Sequence, residues 1–235
     1  MDSKEIIIKA ENISKIYKSG EIETIALKRT NFNVYRGEFI SIIGPSGAGK
    51  STLLYQLGLL DSPSEGYILL NEVNTTKLSE PEKTALRLDK LGYVFQNYSL
   101  LPELNAIDNI KIILIMQGMR AGAAKSKAMQ VLDRMGLKNR AKHFPGQLSG
   151  GEQQRVSIAR AIAHNPDILF ADEPTANLDS AASQIIIDYL KELNEAGQTI
   201  IMVTHEKQFS DQAKRKIEMK DGHIITDVKI TPIDI

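Results

Sequence analysis

Residues 39–51 read FISIIGPSGAGKS, an apolar run that passes directly into a glycine-rich turn. The first five residues have the length and the β-branched content of a buried strand. Residues 52–57, which follow the turn, read as a helix. This stretch therefore predicts a strand, a tight glycine loop and a helix in direct succession.

The glycine turn matches the phosphate-binding P-loop pattern at every specified position. Glycines let backbone N–H groups approach phosphate oxygens, and the N-terminus of the following helix adds a positive dipole. We expect Lys50 to reach the β- and γ-phosphates of a nucleotide and the Ser51 hydroxyl to ligate Mg²⁺. The predicted phosphate-binding residues are Gly44, Pro45, Ser46, Gly47, Ala48, Gly49, Lys50, Ser51 and Thr52. The alternative is a chance glycine-rich turn, but the strand before it and the helix after it argue against that.

The composition of the 235-residue chain excludes several classes of protein. Lys plus Arg and Asp plus Glu both number 29, so the bulk charge does not favour nucleic acid as the main partner, although a localised basic patch remains open. The absence of cysteine excludes disulfides and thiolate metal sites. The N-terminus lacks the pattern of a secretory signal, and no apolar stretch approaches the ~18 residues that span a bilayer. We expect a cytoplasmic protein whose role at a membrane would come through a partner.

The order of strands and helices predicts the fold class. Strands are predicted at residues 6–8, 32–35, 39–43, 66–70, 93–95, 168–171 and 199–203, and helices at 52–57, 79–88, 105–135 with a break at 118–124, and 180–195. This alternation is typical of an α/β fold with a mostly parallel sheet covered on both faces. The helical stretch after residue 96 reads as an insertion into that sheet.

Two adjacent carboxylates, Asp172 and Glu173, end the apolar strand predicted at residues 168–171. Neighbouring side chains at the end of a strand point in different directions, so the two carboxylates can act separately. We assign Asp172 to the metal and Glu173 to the general base that polarises the attacking water. A polar strand end that caps the next turn is the alternative, and a P-loop in the same chain makes it the weaker one.

A second glycine motif, Ser149 to Glu152, opens another predicted helix. The pattern of Ser149 and Glu152 is also a capping box, so a simple helix start is one interpretation. A cap does not require Gly150 and Gly151, which weaken the first turn. Glycines at these positions are explained if their N–H groups approach an anion held by another subunit.

Residues 148–155, LSGGEQQR, resemble the signature sequence of ATP-binding cassette (ABC) ATPases, and the resemblance extends over nearly the whole chain. It implies a single ABC ATPase domain over residues 1–235 with a P-loop NTPase (RecA-like) core. Within it, residues 1–35 would form mainly an antiparallel β subdomain. Residues 36–95 and 165–235 would form the nucleotide-binding core, and 96–164 a helical subdomain.

The resemblance also implies roles for residues outside the P-loop. Gln96 would bind Mg²⁺ and the attacking water, His205 would contact the γ-phosphate, and Tyr17 would stack on adenine. Ser149, Gly150, Gly151 and Glu152 would face the nucleotide of a second copy, and Asp179 lies in the loop that crosses the dimer interface. The alternative for Tyr17 is a half-buried tyrosine in a strand without a role in binding. The alternative for His205 is an ordinary histidine at the end of a strand.

A narrower resemblance is carried by Tyr17, Gly20-Glu21, Ala26-Leu27, Gly37-Glu38-Phe39, the Leu60-Asp61-x-Pro63 turn and Phe95-Gln96. This resemblance is to the subgroup of ABC ATPases that serves lipoprotein release and macrolide export. It implies an ATP-hydrolysing subunit bound to the inner face of the membrane by a permease, which would dock after Gln96, around residues 100–109. A second copy would bind head to tail in an ATP-dependent way, and no nucleic acid is expected. The cofactors would be ATP and Mg²⁺. Ala48, Asp108 and Ala176 depart from the usual residues without removing a catalytic group.

Two other functions stay open at this point. One is a soluble ABC ATPase in an assembly role of the iron–sulfur type, without a permease. The other is a switch that binds ATP and does not hydrolyse it, against which Glu173 and His205 both argue.

Overall fold

The computed structural model of the chain describes residues 5–230. The strands are β1 (Ile6–Ser19), β2 (Ile22–Tyr35), β3 (Phe39–Ile43), β4 (Glu65–Leu70), β5 (Val73–Asn74), β6 (Leu91–Val94), β7 (Ile168–Asp172), β8 (Thr199–Val203), β9 (Arg215–Lys220) and β10 (His223–Lys229). The α-helices are α1 (Lys50–Leu57), α2 (Glu80–Lys90), α3 (Ala106–Met116), α4 (Ala121–Arg134), α5 (Gly150–Ile162), α6 (Ser180–Glu195) and α7 (Lys207–Ser210). Within the described range, no helix has the length and apolar character to cross a membrane.

The chain divides into two compact units. The first contains the described residues up to Thr84 and those from Lys191 onward, and the second contains Ala85–Leu190. The boundaries fall inside α2 and α6. The second unit includes the predicted helical segment 96–164 and also β6 and β7, so it is larger than an inserted helical subdomain alone.

The first unit contains a four-stranded antiparallel sheet in the order β2-β1-β4-β5. β1 and β2 have 14 residues each and are much longer than the short strands predicted at residues 6–8 and 32–35. Their polar inner ends pair as a hairpin, for example Lys18 with Glu23. Because these residues are exposed on both faces, they lack the apolar alternation that marks a strand in a sequence. The sheet also extends beyond residues 1–35, since β4 and β5 belong to it.

The parallel strands of the first unit carry the P-loop. β3 pairs in parallel with β8 on one side and β9 on the other, and β10 is antiparallel to β9. All five residues of β8 are buried, as expected for a strand in the interior of a parallel sheet. The hairpin of β9 and β10 was not predicted, because polar residues interrupt both strands. The observed fold confirms the predicted α/β class.

The second unit pairs β6 and β7 in parallel, with Val94 opposite Ala171. Tyr93 on β6 stacks on Phe170 of β7 at 5.7 Å between ring centroids, and burial raises the pKa of its phenol. Helices α3, α4 and α5 pack against one another. The break between α3 and α4 spans residues 117–120, which is shorter than the predicted break at 118–124.

Candidate functional site

Three glycines shape the P-loop, and they do so for different reasons. Gly44 has φ 147°, and a Cβ there would lie 2.2 Å from the Met219 carbonyl oxygen. Gly49 has φ 94°, and its Cβ would lie 2.4 Å from the Ala26 carbonyl oxygen. The loop is thus packed against the backbone of its own unit at these two positions. Only at Gly47, where a Cβ would meet nothing within 4 Å, is the glycine open to an approaching ligand.

Lys50 is the first residue of α1 and is buried, with 8% of its surface exposed. Its ammonium donates to the carbonyl oxygens of Gly44 and Pro45 at 2.9 and 3.0 Å. Gly49, the N-cap, has no side chain that could accept a first-turn N–H. The N-terminus of α1 therefore offers backbone donors and a buried cation at one end of the same loop, the combination that binds phosphate.

Tyr17 lies beside this helix. Its hydroxyl donates to Asp61 at 2.9 Å, and Lys15 contacts the same carboxylate at 2.5 Å. The Lys15 ammonium stands 5.0 Å from the centre of the Tyr17 ring, and Tyr17 also shares a hydrogen bond with Thr52 in the first turn of α1. The carboxyl of Asp61 is partly buried, which opposes its ionisation, but the hydrogen bonds from Lys15 and Tyr17 outweigh this and lower its pKa. The ring is thereby fixed next to the P-loop helix.

His205 lies at the same edge of the sheet as the P-loop. The parallel pair Ile42 and Val203 is the last pair between β3 and β8, and both Gly44 and His205 follow two residues later. The Thr204 N–H donates to the Ile42 carbonyl at 3.2 Å, and the Thr204 hydroxyl accepts the Glu206 N–H at 3.1 Å. These bonds fix the backbone on both sides of the exposed His205.

In the second unit, the parallel pairing of β6 and β7 brings Gln96 and the two carboxylates to one edge. Asp172 ends β7 and is buried, with 8% of its surface exposed. Glu173 has a left-handed φ of 47°, which is uncommon for a residue with a side chain. Strained backbone of this kind is concentrated at functional sites, where surrounding contacts hold it in place.

The predicted capping box at the start of α5 is present. The Ser149 hydroxyl accepts the Glu152 N–H at 3.3 Å, and the Glu152 carboxylate accepts the Ser149 N–H at 2.8 Å. Arg140 donates to the other carboxylate oxygen at 2.9 Å. The Ser149 N–H, together with Arg140, holds the pKa of Glu152 below its usual value. The first turn of α5 is therefore rigid, and Arg140 partly neutralises its only acidic side chain.

The backbone at Gly150 is closely approached by another side chain, which the sequence does not reveal. A Cβ at this position would lie 2.8 Å from the Tyr98 hydroxyl, which itself donates to the Asn177 carbonyl at 3.3 Å. A Cβ at Gly151 would lie 3.3 Å from the Cβ of Ala182. A side chain at 150 would therefore displace the Tyr98 hydroxyl, which is the far end of a side chain and not backbone.

Several buried or bridging polar residues connect the motifs of the second unit and were missed in the sequence. The fully buried Gln154 of α5 donates to the Pro174 carbonyl at 2.7 Å, directly after Glu173. Asn177 donates to the Gln96 carbonyl at 2.9 Å. Arg160 donates to the Ser99 carbonyl at 2.6 Å. Such glutamine, asparagine and arginine residues look like ordinary surface positions until their partners are known.

Asp179 serves as a helix cap. Its carboxylate accepts the Ala182 N–H at 2.8 Å in the first turn of α6, and its carbonyl accepts the Ser183 N–H at 2.8 Å. The resemblance assigned this residue to the loop that crosses a dimer interface. Its side chain has a structural role within the chain as well.

Each unit offers oxygen donors that suit a hard cation. In the first unit Ser51 offers a hydroxyl, and in the second unit Asp172 offers a carboxylate and Gln96 an amide oxygen, all of them kinds of ligand that Mg²⁺ takes. Among the described residues there is no cluster of three or more His, Cys, Asp or Glu that could hold a metal ion by itself.

Comparison with known proteins places these motifs in a family. A family model described as ABC transporter matches residues 27–176. An uncharacterised ABC transporter ATP-binding protein of Methanocaldococcus jannaschii, MJ1508, is 45% identical over 93% of this chain and 98% of its own length. The lipoprotein-releasing system ATP-binding protein LolD of Aquifex aeolicus is 46% identical over 94% of this chain and 97% of its own. The macrolide export ATP-binding/permease protein MacB of Pasteurella multocida is 45% identical over 96% of this chain but only 35% of its own length.

A solved structure agrees with the relatives. The ATP-binding cassette MJ0796, described as a dimer in a post-hydrolysis state bound to ADP and Pi, is similar with a TM-score of 0.89 and 42% sequence identity. The match covers 96% of this chain and all of that one. LolD and MacB are the subgroup that the sequence predicted, and that prediction is confirmed. With a P-loop, the signature sequence at the start of α5 and relatives about 45% identical over more than nine-tenths of its length, the chain belongs to the ABC transporter family of ATP-binding cassettes.

Proposed function

We propose that this chain is the ATP-hydrolysing subunit of a membrane exporter or lipoprotein-extraction system and drives a separate permease. The observation that carries the proposal is the P-loop, where the open Gly47 and the buried Lys50 lie at the N-terminus of α1. A triphosphate oxygen would replace the Gly44 and Pro45 carbonyls as acceptor of the Lys50 ammonium. Lys50 would exchange two neutral carbonyl acceptors for a charged phosphate oxygen, which makes the hydrogen bonds of its ammonium stronger.

Each motif contributes a distinct step to the proposed reaction, ATP plus water giving ADP and phosphate. Glu173 accepts a proton from the attacking water, and His205 donates to the γ-phosphate. Gln96 orients the water. Ser51, Gln96 and Asp172 would hold Mg²⁺, which when bound neutralises charge on the β- and γ-phosphates. Tyr17 binds the adenine base.

A second copy of the chain completes each site in this proposal. Ser149 to Glu152 would face the γ-phosphate bound by the other copy, with the half-buried first turn of α5 presenting the N–H groups of Gly150 and Gly151. ATP would thus hold the two copies together head to tail, and hydrolysis would release them. The dimeric MJ0796 cassette supports this arrangement.

The permease is proposed from the relatives. LolD belongs to a lipoprotein-releasing system, and MacB carries ATP-binding and permease parts in one protein. We propose that a separate permease holds this chain at the inner membrane face and docks near residues 100–109. Leu101, 41% exposed, offers an apolar contact in that segment. None of the relatives described above is named as an assembly factor, so the assembly alternative has no support.

Two measurements test the proposed function. Purified chain with ATP and Mg²⁺ is expected to release phosphate, and Lys50→Ala is expected to lose both nucleotide binding and release. Affinity capture of the tagged chain from detergent-solubilised membranes of its source cells is expected to bring down an integral membrane permease. If the chain releases phosphate but captures no permease, the transport role is contradicted. If it captures a permease but releases no phosphate, the enzymatic role is contradicted.

The contacts of Tyr17 predict a separable effect on nucleotide affinity. Asp61→Asn removes the carboxylate that fixes both Tyr17 and Lys15, so we expect a roughly 10- to 150-fold weaker ATP affinity, the usual range for a hydrogen bond to a charged group. Inorganic tripolyphosphate, which has no base, is expected to bind both proteins equally. Calorimetric titration measures both ligands, with Tyr17→Ala as the matched variant. Equal weakening of both ligands would exclude a base-binding role.

A further inference from the structure

The neutral charge of the whole chain conceals a strongly basic segment. Residues 111–143 contain eight Lys or Arg residues and a single acidic residue, Asp133, although the chain as a whole has 29 of each class. Three of the eight have carboxylate partners: Lys111 contacts Asp108, Lys138 contacts Asp133 at 3.1 Å, and Arg140 contacts Glu152. The composition of the chain did not exclude a localised basic patch. The structure shows where the basic residues without a carboxylate partner lie in this segment.

Three of the unpaired cations follow one flank of α4. Arg120, Lys127 and Arg134 are seven residues apart, so successive members are offset by only ~20° around the helix and by about 10 Å along it. Within residues 5–230, none of the three forms an ion pair. Arg120 and Arg134 are exposed and Lys127 is half-buried. We call these three residues the basic face of α4.

Apart from the charged Lys125 and Asp133, the rest of the exposed α4 surface is small or polar. Ala124, Ala128 and Leu132 are buried against the second unit, and the exposed positions include Ala121, Gly122, Ala123, Ser126 and Gln130. An interface with another folded protein is usually centred on buried apolar or aromatic side chains. The basic face has no apolar or aromatic side chain of this kind along its length. A partner would therefore be attracted to it mainly by electrostatic forces.

An apolar tip lies at the start of the basic face. Ile115 and Met116, at the end of α3, are 42% and 59% exposed, and the short turn at 117–120 connects them directly to Arg120. Cations next to a small exposed apolar group are typical of surfaces that rest on the headgroup region of a bilayer. A nucleic acid would attract the cations but would leave the apolar tip in water.

We propose that the basic face of α4, with its apolar tip, contacts the anionic headgroups of the membrane. Each Lys or Arg near an anionic leaflet strengthens such a contact severalfold, and the attraction decays within a Debye length, about 8–10 Å. The contact is weak by itself. If the chain is tethered to a permease, as proposed above, the high effective concentration at the membrane makes a weak contact sufficient.

The test uses the full chain and vesicles, without a permease or nucleotide, so it can fail independently of the proposed ATPase function. Flotation is measured with neutral phosphatidylcholine vesicles and with vesicles containing about 30% phosphatidylglycerol, an anionic lipid. We expect at least about tenfold stronger binding to the anionic vesicles, and weaker binding at high salt. The triple variant R120Q/K127Q/R134Q is expected to lose roughly 10- to 100-fold in that binding. Its phosphate release and thermal melting are expected to match the unmodified chain, since glutamine is a good helix former.

A second triple variant serves as the matched control. Lys77, Lys207 and Lys220 are exposed in the first unit and have no ion-pair partner in the described part of the chain, so K77Q/K207Q/K220Q removes the same charge elsewhere. It is expected to bind anionic vesicles within about twofold of the unmodified chain. An equal loss in this control would overturn the proposal, because net charge alone would then explain binding. Failure of the unmodified chain to prefer anionic vesicles would overturn it as well. Selective binding to polyglutamate instead of vesicles would also overturn the proposal, and it would indicate an acidic protein partner.

Discussion

Glu173→Gln is expected to lower ATP turnover by at least about a hundredfold, the usual contribution of a general base, while ATP still binds. The amide has the shape of the carboxylate but cannot accept a proton from the attacking water. The substitution keeps a side chain of the same length at this position, where the backbone is left-handed with φ 47°. Because the ATP that joins two copies would no longer be consumed, the variant is expected to accumulate as an ATP-loaded dimer.

Size-exclusion chromatography with light scattering, run with and without ATP, measures the oligomer, and a phosphate-release assay measures turnover. Glu195→Gln is a matched control, because Glu195 is an exposed residue of α6 outside all the motifs. It is expected to behave like the unmodified chain. If Glu173→Gln stays monomeric with ATP and still hydrolyses it, the assignment of the general base is wrong.

The second large effect tests whether each ATP site is formed by residues from two copies of the chain. Ser149→Asp keeps an N-cap of comparable quality for α5, so folding is preserved, but it adds a carboxylate where a partner's γ-phosphate is expected. We expect turnover to fall by about a hundredfold or more, as for the loss of other groups that stabilise transition-state charge. Ser149→Asn, an equally good cap without charge, is expected to retain much more activity. Substitution of Gly150 would be a poorer test, because a Cβ there would lie 2.8 Å from the Tyr98 hydroxyl and would displace that side chain.

Mixing two inactive variants separates a shared site from a site within one chain. In a head-to-tail dimer, Lys50→Ala from one copy and Ser149→Asp from the other meet in the same site, and the second site is intact. Equal amounts are therefore expected to recover about a quarter of the normal rate, since half the dimers are mixed and each has one working site of two. Lys50→Ala mixed with Glu173→Gln is expected to recover nothing, because each site would keep one defect. Recovery in the second mixture, or none in the first, would contradict the proposed dimer.

The local structure around the P-loop was predictable because each element depends on neighbours in the sequence. An apolar run of five residues, glycines and a lysine define a strand, a loop and a helix start without reference to distant residues. The capping box of Ser149 and Glu152 formed for the same reason, since its bonds join residues three apart. The mostly parallel character of the sheet followed from the alternation of apolar runs and helical stretches.

Other features depend on residues that are distant in the chain. The exposed hairpin of β1 and β2 lacks an apolar pattern, and its strands are held by pairing with each other and, in part, with β4. The close approach at Gly150 comes from the Tyr98 hydroxyl, and the turn after Glu173 is held by Gln154. These contacts are set by how helices and loops pack, which no local pattern encodes.

The sequence by itself determined the family, the P-loop and the residue types available for nucleotide chemistry, because those depend on short-range backbone conformation and on side-chain chemistry. Only the tertiary structure decided which glycines are open to a ligand, how Asp61 and Lys15 fix Tyr17, and which cations of a basic segment remain unpaired. Those outcomes are distances between residues far apart in the chain, and packing and the pairing of strands set such distances once the chain has folded.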